Sequence, residues 1–416
     1  MRSTKPTLPS LFLVVAPALL LACVDAEASL DSDVPAAEAR VTDSVAAEAA
    51  PSAPSRPRHH PEDTGSASYP APHPGMPLIP RNGGPVLHDP SVVTVTFAGD
   101  AMEAKLQAFG DQVGGLQWWS TVHAGYGVGP ATSAGHVTIP VGPPAKMTDV
   151  EVQAWVRARI ADGTLPAPTD QSIYLLYYPQ TTTITFDDSS GSAASCQVFL
   201  GYHSTFDVSS AGRTVPVAYA VINRCRGDLD EVTVTASHEL TEAATDPRPI
   251  DDTNAGYVTL QDNAWTLLGG ENGDMCAGVS GVSEGGWALT RVWNNVAAAA
   301  GAQPCLPAPD SGGVPYFNAA VVHERMVASP GTSVSTEVDC YSFGPLPGAM
   351  ALSVGAPAGD PLKVAFDQKS CSNGDKVTMT LAVASNVPRG SDVHYSLFST
   401  LSQGNAHLWR GMVHVK

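Results

Sequence analysis

The sequence has few positive charges and no long apolar run beyond its N-terminus. Its 416 residues contain 22 Lys and Arg against 40 Asp and Glu, which gives a formal net charge of −18. This excess of negative charge repels the phosphates of nucleic acids and of anionic membrane surfaces, so we expect no nucleic-acid partner. After the N-terminal segment, no stretch is long and apolar enough to predict a membrane-spanning helix. The length suffices for two domains and a tail.

The sequence also lacks a C-x-x-C pair, which argues against a zinc–cysteine cluster. Cys23 belongs to the N-terminal export signal, and the remaining cysteines are Cys196, Cys225, Cys276, Cys305, Cys340 and Cys371. An even number in an exported protein predicts a set of disulfides. Many connectivities are possible, and the sequential one (196–225, 276–305 and 340–371) keeps each bridge local.

The N-terminus has the features of an export signal. Arg2 and Lys5 precede an apolar run that ends in Leu20-Leu21-Ala22-Cys23, which resembles a bacterial lipobox. We therefore predict a lipoprotein signal peptide over 1–22, with Cys23 lipidated and the protein held at the membrane by this anchor. Leu21 stands where a small residue is usual, so ordinary signal-peptidase cleavage is the alternative. The expected location is the bacterial cell envelope, at the outer membrane or cell surface, or secretion.

Residues 23–80 are rich in Ala, Pro and Glu and almost free of aromatic residues. Such a segment buries too little apolar surface to offset the entropy of ordering, so we predict a disordered linker.

Two folded domains are predicted beyond this linker. Residues 81–308 are expected to form an α/β (α+β) domain, with buried strands at 91–97, 173–178 and 215–222. A capping box at 148–151 predicts the start of a helix between two of them.

Residues 309–416 have a different pattern. Apolar and polar residues alternate over 377–383, and further strands are expected at 394–402 and 407–415. We predict a small antiparallel β-sandwich of the immunoglobulin-like kind.

The segment His238-Glu239-Leu240-Thr241-Glu242 is the strongest candidate for a functional site. On a helix, residues four apart lie on one face, so His238 and Glu242 can bind the same metal ion. Glu239 lies beside them and is the candidate general base. An apolar stripe on the opposite face supports the helix, and it consists of Leu229, Val232, Ala236, Leu240 and Ala243.

A metal site needs a third ligand from outside the helix, and two segments offer one. His203 follows Cys196 closely, and Glu271 and Asp274 precede Cys276. We predict one divalent metal ion, zinc, held by His238, Glu242 and one of these three residues.

The HE segment resembles the helix of zincin metallopeptidases over a single short stretch. This resemblance implies a zincin-like fold for the main domain, with His238 as a metal ligand and Glu239 as general base. Glu242 stands where those enzymes have a second histidine, so the pattern is an H-E-x-x-E variant.

A second resemblance covers roughly residues 83–306. The sequence in this range is similar to bacterial relatives of the plant phosphate-induced, EXORDIUM-like secreted proteins. The similarity lies in the order of four features: residues 84–87, a strand up to Asp100, a His-Glu-Leu helix that ends in Thr-Asp-Pro, and residues 271–276. It implies a non-catalytic role at the cell surface.

Two functions therefore remain open. The first is an exported, membrane-anchored zinc peptidase, in which Glu239 deprotonates a metal-activated water that attacks a peptide or protein substrate. The second is a non-catalytic envelope protein for binding or signalling, with a degenerate or structural metal site. Catalysis by a serine or cysteine nucleophile is not expected, and the cysteines are expected to be paired. The sequence indicates no oligomeric state.

Overall fold

The structure is a computed structural model that describes residues 68–188, 191–210, 212–249, 254–357 and 359–416. The predicted signal peptide, Cys23 and most of the linker lie outside these residues. Residues 68–80 belong to the segment predicted as linker, yet Ala71, Met76 and Ile79 are buried in the same core as the C-terminal strands. The packed chain therefore begins before residue 81, because these apolar side chains have partners far along the sequence.

The part of the chain up to residue 306 contains both helices and strands. The strands are β1 (Ser91–Phe97), β2 (Thr132–Ile139), β3 (Lys146–Thr148), β4 (Ser172–Tyr178), β5 (Thr183–Asp188), β6 (Gly191–Ala194), β7 (Gly201–Ser210), β8 (Arg213–Asn223), β9 (Val282–Glu284), β10 (Trp287–Leu289), β11 (Val292–Trp293) and β12 (Cys305–Leu306). The helices are α1 (Glu103–Gln112), α2 (Gln117–Val122), α3 (Asp149–Ala161), α4 (Leu229–Thr245) and α5 (Asn295–Ala299), with 3-10 turns at Val113–Gly115 and Asp274–Cys276.

A mixed sheet in the order β2–β1–β4–β8–β7 is the centre of this part. Strands β1, β2, β4 and β8 run parallel, and the edge strand β7 runs antiparallel to β8. Every residue of β4 is buried, as expected of a parallel strand covered on both faces. Leu175 packs in one core with Val232 and Leu240 of α4, whereas Leu176 packs in the other with Val152 of α3.

Helix α4 lies on one face of this sheet as its apolar stripe predicts. Val232, Ala236, Leu240 and Ala243 are buried, and the side chain of Asp228 accepts a hydrogen bond from the Asp230 N–H at the start of the helix. The helix ends at Thr245, before the Asp246-Pro247 step, where proline disfavours helical backbone. The capping box at Thr148 and Glu151 also forms at the start of α3.

The remaining strands follow residue 316. They are β13 (Phe317–Val321), β14 (Arg325–Ala328), β15 (Ser333–Ser342), β16 (Met350–Gly355), β17 (Leu362–Phe366), β18 (Ser370–Cys371), β19 (Lys376–Val383), β20 (Asp392–Thr400) and β21 (Ala406–Val415). One sheet has the order β13–β15–β19–β17 and the other β14–β21–β20–β16–β18. All these strand pairs are antiparallel except β14 with β21.

These two sheets share one apolar core, to which Leu381 of β19 and Leu397 of β20 contribute. The chain is thus a mixed α+β protein rich in strands, with a sandwich-like C-terminal part. The immunoglobulin-like assignment and the domain limits remain predictions.

The C-terminal sheets also contact the loops that precede β9. The indole N–H groups of Trp265 and Trp409 both donate to Glu324 Oε1, at 3.2 and 2.9 Å. The guanidinium of Arg410 donates to the carbonyl oxygen of Ala277. Loop residues before β9 are therefore attached to the sandwich by hydrogen bonds as well as by apolar contacts.

The predicted disulfides are confirmed in their sequential connectivity. Cys196 pairs with Cys225, Cys276 with Cys305, and Cys340 with Cys371. Disulfides persist in oxidising compartments, so they indicate an extracellular or envelope protein. Of the helices in the described residues, none has both the length and the apolarity needed to cross a membrane.

Candidate metal centre

The predicted site residues come from two walls that face each other. The first, which we name the sheet wall, consists of β7 and α4 and carries His203, His238, Glu239 and Glu242. The second, the loop wall, is the segment 271–274 ahead of β9.

The sheet wall depends on strand pairing. His203 of β7 lies opposite Ala220 of β8, and Ala220 packs in the core on the α4 side of the sheet. His203 is therefore directed toward α4. Gly201 permits this approach, since a Cβ there would lie 2.7 Å from Thr235 Cγ2 and 3.1 Å from Glu239 Cγ.

The loop wall is held by covalent and polar links. Cys276 ends the 3-10 turn that begins at Asp274 and is bonded to Cys305 of β12. The Trp293 N–H donates to the carbonyl oxygen of Asn272 at 2.8 Å. The Asp274 N–H donates to Glu242 Oε1 at 3.1 Å, which joins the loop wall to the sheet wall directly.

His238, Glu242 and Asp274 form a first set of donor atoms. His238 Nε2 lies 3.2 Å from Glu242 Oε1 and 3.4 Å from Asp274 Oδ1. The side chains of His238 and Asp274 are 20% and 17% exposed, so solvent reaches this set. The helical pair and one of the predicted third ligands thus converge, with His238 directed away from the apolar core.

His203, Glu239 and Glu242 form a second and more deeply buried set. His203 Nδ1 lies 3.5 Å from Glu239 Oε2 and 3.4 Å from Glu242 Oε2, and each of these side chains is at most 8% exposed. The other ring nitrogen, Nε2, lies 3.3 Å from Glu271 Oε1. The structure therefore gathers all the predicted candidates into one centre, in which Glu242 belongs to both sets.

Burial and excess negative charge shift the ionisation of both histidines. Burial lowers the pKa of His203, but Glu271, Glu239 and Glu242 outweigh it and raise the pKa well above the usual value. Burial likewise lowers the pKa of His238, but the attraction of Glu242 and the close contact with the Asp274 carboxyl group raise it well above the usual value.

The carboxyl groups divide into two kinds. Burial alone would raise the pKa of Glu242, but the neighbouring histidines His238 and His203 outweigh it and lower the pKa far below the usual value. Burial, reinforced by the charge of Glu242, raises the pKa of Glu271 to about 8, and it also raises the pKa of Asp274. Burial raises the pKa of Glu239 as well. In the absence of a cation, Glu271 thus retains its proton to a higher pH than an exposed glutamate does.

This donor chemistry suits a divalent transition metal. Imidazole nitrogen with carboxylate oxygen fits zinc, manganese or iron, and thiolate is not available because Cys276 is in a disulfide. Within the described residues, no Lys or Arg forms a salt bridge with these carboxyl groups. A bound cation would supply the missing positive charge.

Sequence reasoning missed Gly273. A Cβ at this position would lie 2.7 Å from Glu242 Oε1 and 2.9 Å from His238 Nδ1, so the backbone of the loop wall packs directly on the ligands. The sequence shows Gly273 between candidate ligands in Glu271-Asn272-Gly273-Asp274, but a glycine in such a segment is equally well explained by a turn.

Two neighbouring polar residues stabilise the surroundings. Asp246 Oδ1 accepts the Gly256 N–H at 2.9 Å, so this side chain orders the chain after α4. Asn272 is fully buried, and its Oδ1 accepts the Thr245 hydroxyl at 3.2 Å. Neither residue belongs to the donor sets.

A G-x-S-x-G pentapeptide, typical of serine hydrolases, occurs at 281–285 but lies on the β9–β10 hairpin. Ser283 is exposed within a strand that pairs with β10, whereas such a nucleophile requires a strand-to-helix turn. It provides no support for nucleophilic catalysis.

Comparisons with known proteins assign no family. No family model matches the sequence, and no curated protein matches it. Among solved structures, domains 4 and 5 of the S-layer protein SbsC align at 12% identity with a TM-score of 0.20, covering 24% of this chain and 53% of that one. The GH5 xyloglucanase of Bacteroides ovatus aligns at 10% identity with a TM-score of 0.17, covering 24% and 19%. The alignment thus spans about half of the S-layer fragment, and similarity at this level supports no conclusion about function.

Proposed function

We propose that this protein is an exported metal-dependent hydrolase that acts on peptide bonds. The observation that carries the proposal is the convergence of His238 Nε2, Glu242 Oε1 and Asp274 Oδ1 at 3.2–3.4 Å on the solvent-reached side of a buried acidic centre. Three protein ligands with access for solvent are the usual composition of a catalytic zinc site, and zinc is the proposed ion.

An ion bound there would supply Lewis acidity, polarising a substrate carbonyl and lowering the pKa of a coordinated water. His238 is positioned by α4, and Asp274 is positioned by the disulfide-bonded loop wall. The Asp274 N–H to Glu242 hydrogen bond fixes the orientation of the ligand that replaces the usual second histidine.

Glu239 is proposed as the general base. It follows His238 directly on α4, and its carboxyl oxygen lies in the same group as Glu242 and His203. Burial raises its pKa, which makes its carboxylate a stronger base toward a water in the site. The similarity of this helix to that of zincin peptidases supports the same role.

The alternative is an envelope binding or signalling protein of the EXORDIUM-like type, in which the metal is structural. One observation favours it: the Gly273 backbone lies against His238 and Glu242 and covers part of the ligands. A second anionic ligand also makes the ion a weaker Lewis acid than two histidines would.

Metal analysis and a peptide-library digest distinguish these functions. The full chain should contain zinc and cleave peptides, and Glu239→Gln should lose at least about 10²-fold in rate. Asp230→Asn is the matched control, because Asp230 is an exposed carboxylate in the first turn of the same helix. A metal-loaded wild type that cleaves no library peptide with zinc, manganese or calcium would favour the binding protein.

Attachment to the membrane through a lipid on Cys23 is part of the proposal. The Leu20-Leu21-Ala22-Cys23 segment supports it, and the disulfides agree with export. Cys23→Ser should move the protein from the membrane fraction to the soluble fraction, and an unchanged distribution would remove the lipid anchor from the proposal.

A further inference from the structure

We propose that the centre binds two divalent cations, bridged by the carboxylate of Glu242. The first ion takes His238, Glu242 and Asp274, and the second takes His203, Glu239 and Glu242. This inference rests on the metal site of the proposed function and adds a second ion to it.

The two carboxylate oxygens of Glu242 are directed at two different histidines. Oε1 lies 3.2 Å from His238 Nε2, and Oε2 lies 3.4 Å from His203 Nδ1. Each half of the carboxylate therefore contributes to its own donor set, which is the geometry of a bridging ligand. A carboxylate in this position holds two ions roughly 3.5–4 Å apart.

The distances within the second set favour an ion over hydrogen bonds. Nitrogen-to-oxygen hydrogen bonds are usually about 2.7–3.2 Å long, whereas His203 Nδ1 lies 3.4 and 3.5 Å from its carboxylate neighbours. Ligands at about 2.0–2.1 Å around a tetrahedral zinc stand about 3.3–3.4 Å apart. His203 Nδ1 thus already lies at nearly the separation from each carboxylate that a common ion requires, and all three donor atoms lie within 4.8 Å of one another.

His203 has the environment of a metal-binding histidine. Its side chain is 4% exposed, and Nε2 is buried without a hydrogen-bond partner although Glu271 Oε1 is 3.3 Å away. Metal-bound imidazoles usually donate their second N–H to a carboxylate, which fixes the ring and its tautomer. Glu271 is placed for this role once Nδ1 is coordinated, and a small rotation would complete the hydrogen bond.

The charges of the centre agree with two ions. In the described part of the chain, five carboxyl groups belong to it or adjoin it (Glu239, Glu242, Asp246, Glu271 and Asp274), together with two histidines. Among the described residues, no Lys or Arg forms a salt bridge with this group, so the two histidines are its only positively chargeable neighbours. Buried charge without a counter-charge is costly, and cations bound in both donor sets would offset it.

The second ion changes the role of Glu239. With one ion bound, Glu239 is free to accept a proton from water. With both bound, it is a ligand, so Glu239→Gln would lower the metal content as well as the rate. The proposed function with one ion predicts an unchanged metal content for the same variant.

Metal stoichiometry of the full chain tests the inference. Metal-free protein is dialysed against Mn²⁺, its content is measured by mass spectrometry, and the EPR spectrum is recorded. We expect two equivalents in wild type with an exchange-coupled spectrum, and one equivalent without coupling in His203→Ala and in Glu239→Gln. Asp274→Asn should lose the ion bound by His238, Glu242 and Asp274 and retain the second ion. His136→Ala, at an exposed histidine, should retain both.

The outcomes separate the two proposals. One equivalent in wild type overturns the second ion and leaves the proposed function intact, whereas none overturns both. Two uncoupled equivalents, or two that persist in His203→Ala, show that the second ion binds elsewhere and overturn the bridged assignment. If His203→Ala does not fold, His203→Gln and the wild-type spectrum still decide the matter.

Discussion

The sheet wall and the loop wall bring ligands to the same centre by different means. His203, His238, Glu239 and Glu242 lie on β7 and α4, whose backbones are held by strand pairing and by the apolar core beneath the helix. Glu271 and Asp274 lie on a loop held by one disulfide, a few hydrogen bonds and contact with the sandwich. The comparison indicates that the sheet wall is positioned by the fold itself, whereas the loop wall depends on a small number of links that can be removed singly.

Removing the Cys276–Cys305 disulfide should have the largest effect. Loss of a native disulfide typically costs about 2–5 kcal/mol, and this one closes a loop with a sequence separation of 29. Replacing both cysteines with serine should lower the free energy of unfolding and also weaken metal binding, because Asp274 loses its support.

The Cys340–Cys371 bridge is the matched control, since it closes a similar loop of separation 31 within the sandwich. Its removal should lower stability comparably and leave metal affinity unchanged, as measured by denaturant unfolding and metal titration. An equal loss of affinity in both variants would contradict the local dependence of the loop wall.

Gly273→Ala tests the contact between the walls. Its backbone φ of −68° suits any residue, so the effect should come from the added methyl group meeting Glu242 and His238. Overpacking costs about 1–3 kcal/mol, which corresponds to a loss of metal affinity of roughly fivefold to a hundredfold. Gly142→Ala, where a Cβ meets nothing within 4 Å, should bind metal normally.

The metal-free protein should lose stability as pH rises from about 5 to 8. Burial raises the pKa of Glu271 from 4.5 to about 8, so its stabilising protonated form is complete below 4.5 and is lost as pH rises through about 8. His203 and His238 have raised pKa values, so their contribution is present below 6.5 and is also lost at higher pH.

The lowered pKa of Glu242 acts in the opposite direction, because its contribution disappears as pH falls below 4.5. Thermal unfolding of the metal-free chain should therefore show its highest midpoint near pH 5, at about the balance of these effects. Added zinc should flatten the decline, since metal replaces the retained protons. A midpoint that rises between pH 5 and 8 without metal would contradict this account.

Asp246→Asn should have the smallest effect. The asparagine retains an oxygen that can accept the Gly256 N–H, so the free energy of unfolding should change by about 1 kcal/mol or less. Metal content should not change, because Asp246 belongs to neither donor set. Loss of an equivalent of metal would show that its second oxygen is a ligand.

Local patterns predicted much of the framework. The apolar stripe, the proline after Asp246 and the capping box at Thr148 each specify backbone geometry over a few residues. The strand at 91–97 was predicted from an apolar run, and the strand within 377–383 from alternating apolar and polar residues. Short-range steric and hydrogen-bonding preferences decide such features, so they can be read along the chain. The packing of residues 68–80 was missed because their apolar partners lie at the far end of the sequence.

The juxtaposition of His238 and Glu242 follows from helical spacing alone, since side chains four residues apart share a face. The position of His203 cannot be derived from local spacing, because it depends on β7 pairing with β8 in the register that places His203 beside Ala220. Nor could local patterns choose among His203, Glu271 and Asp274, or show that the Gly273 backbone meets the ligands. These contacts join segments that are distant in sequence, and only the packing of the sheet, the disulfide-bonded loop and the sandwich decides how close they come.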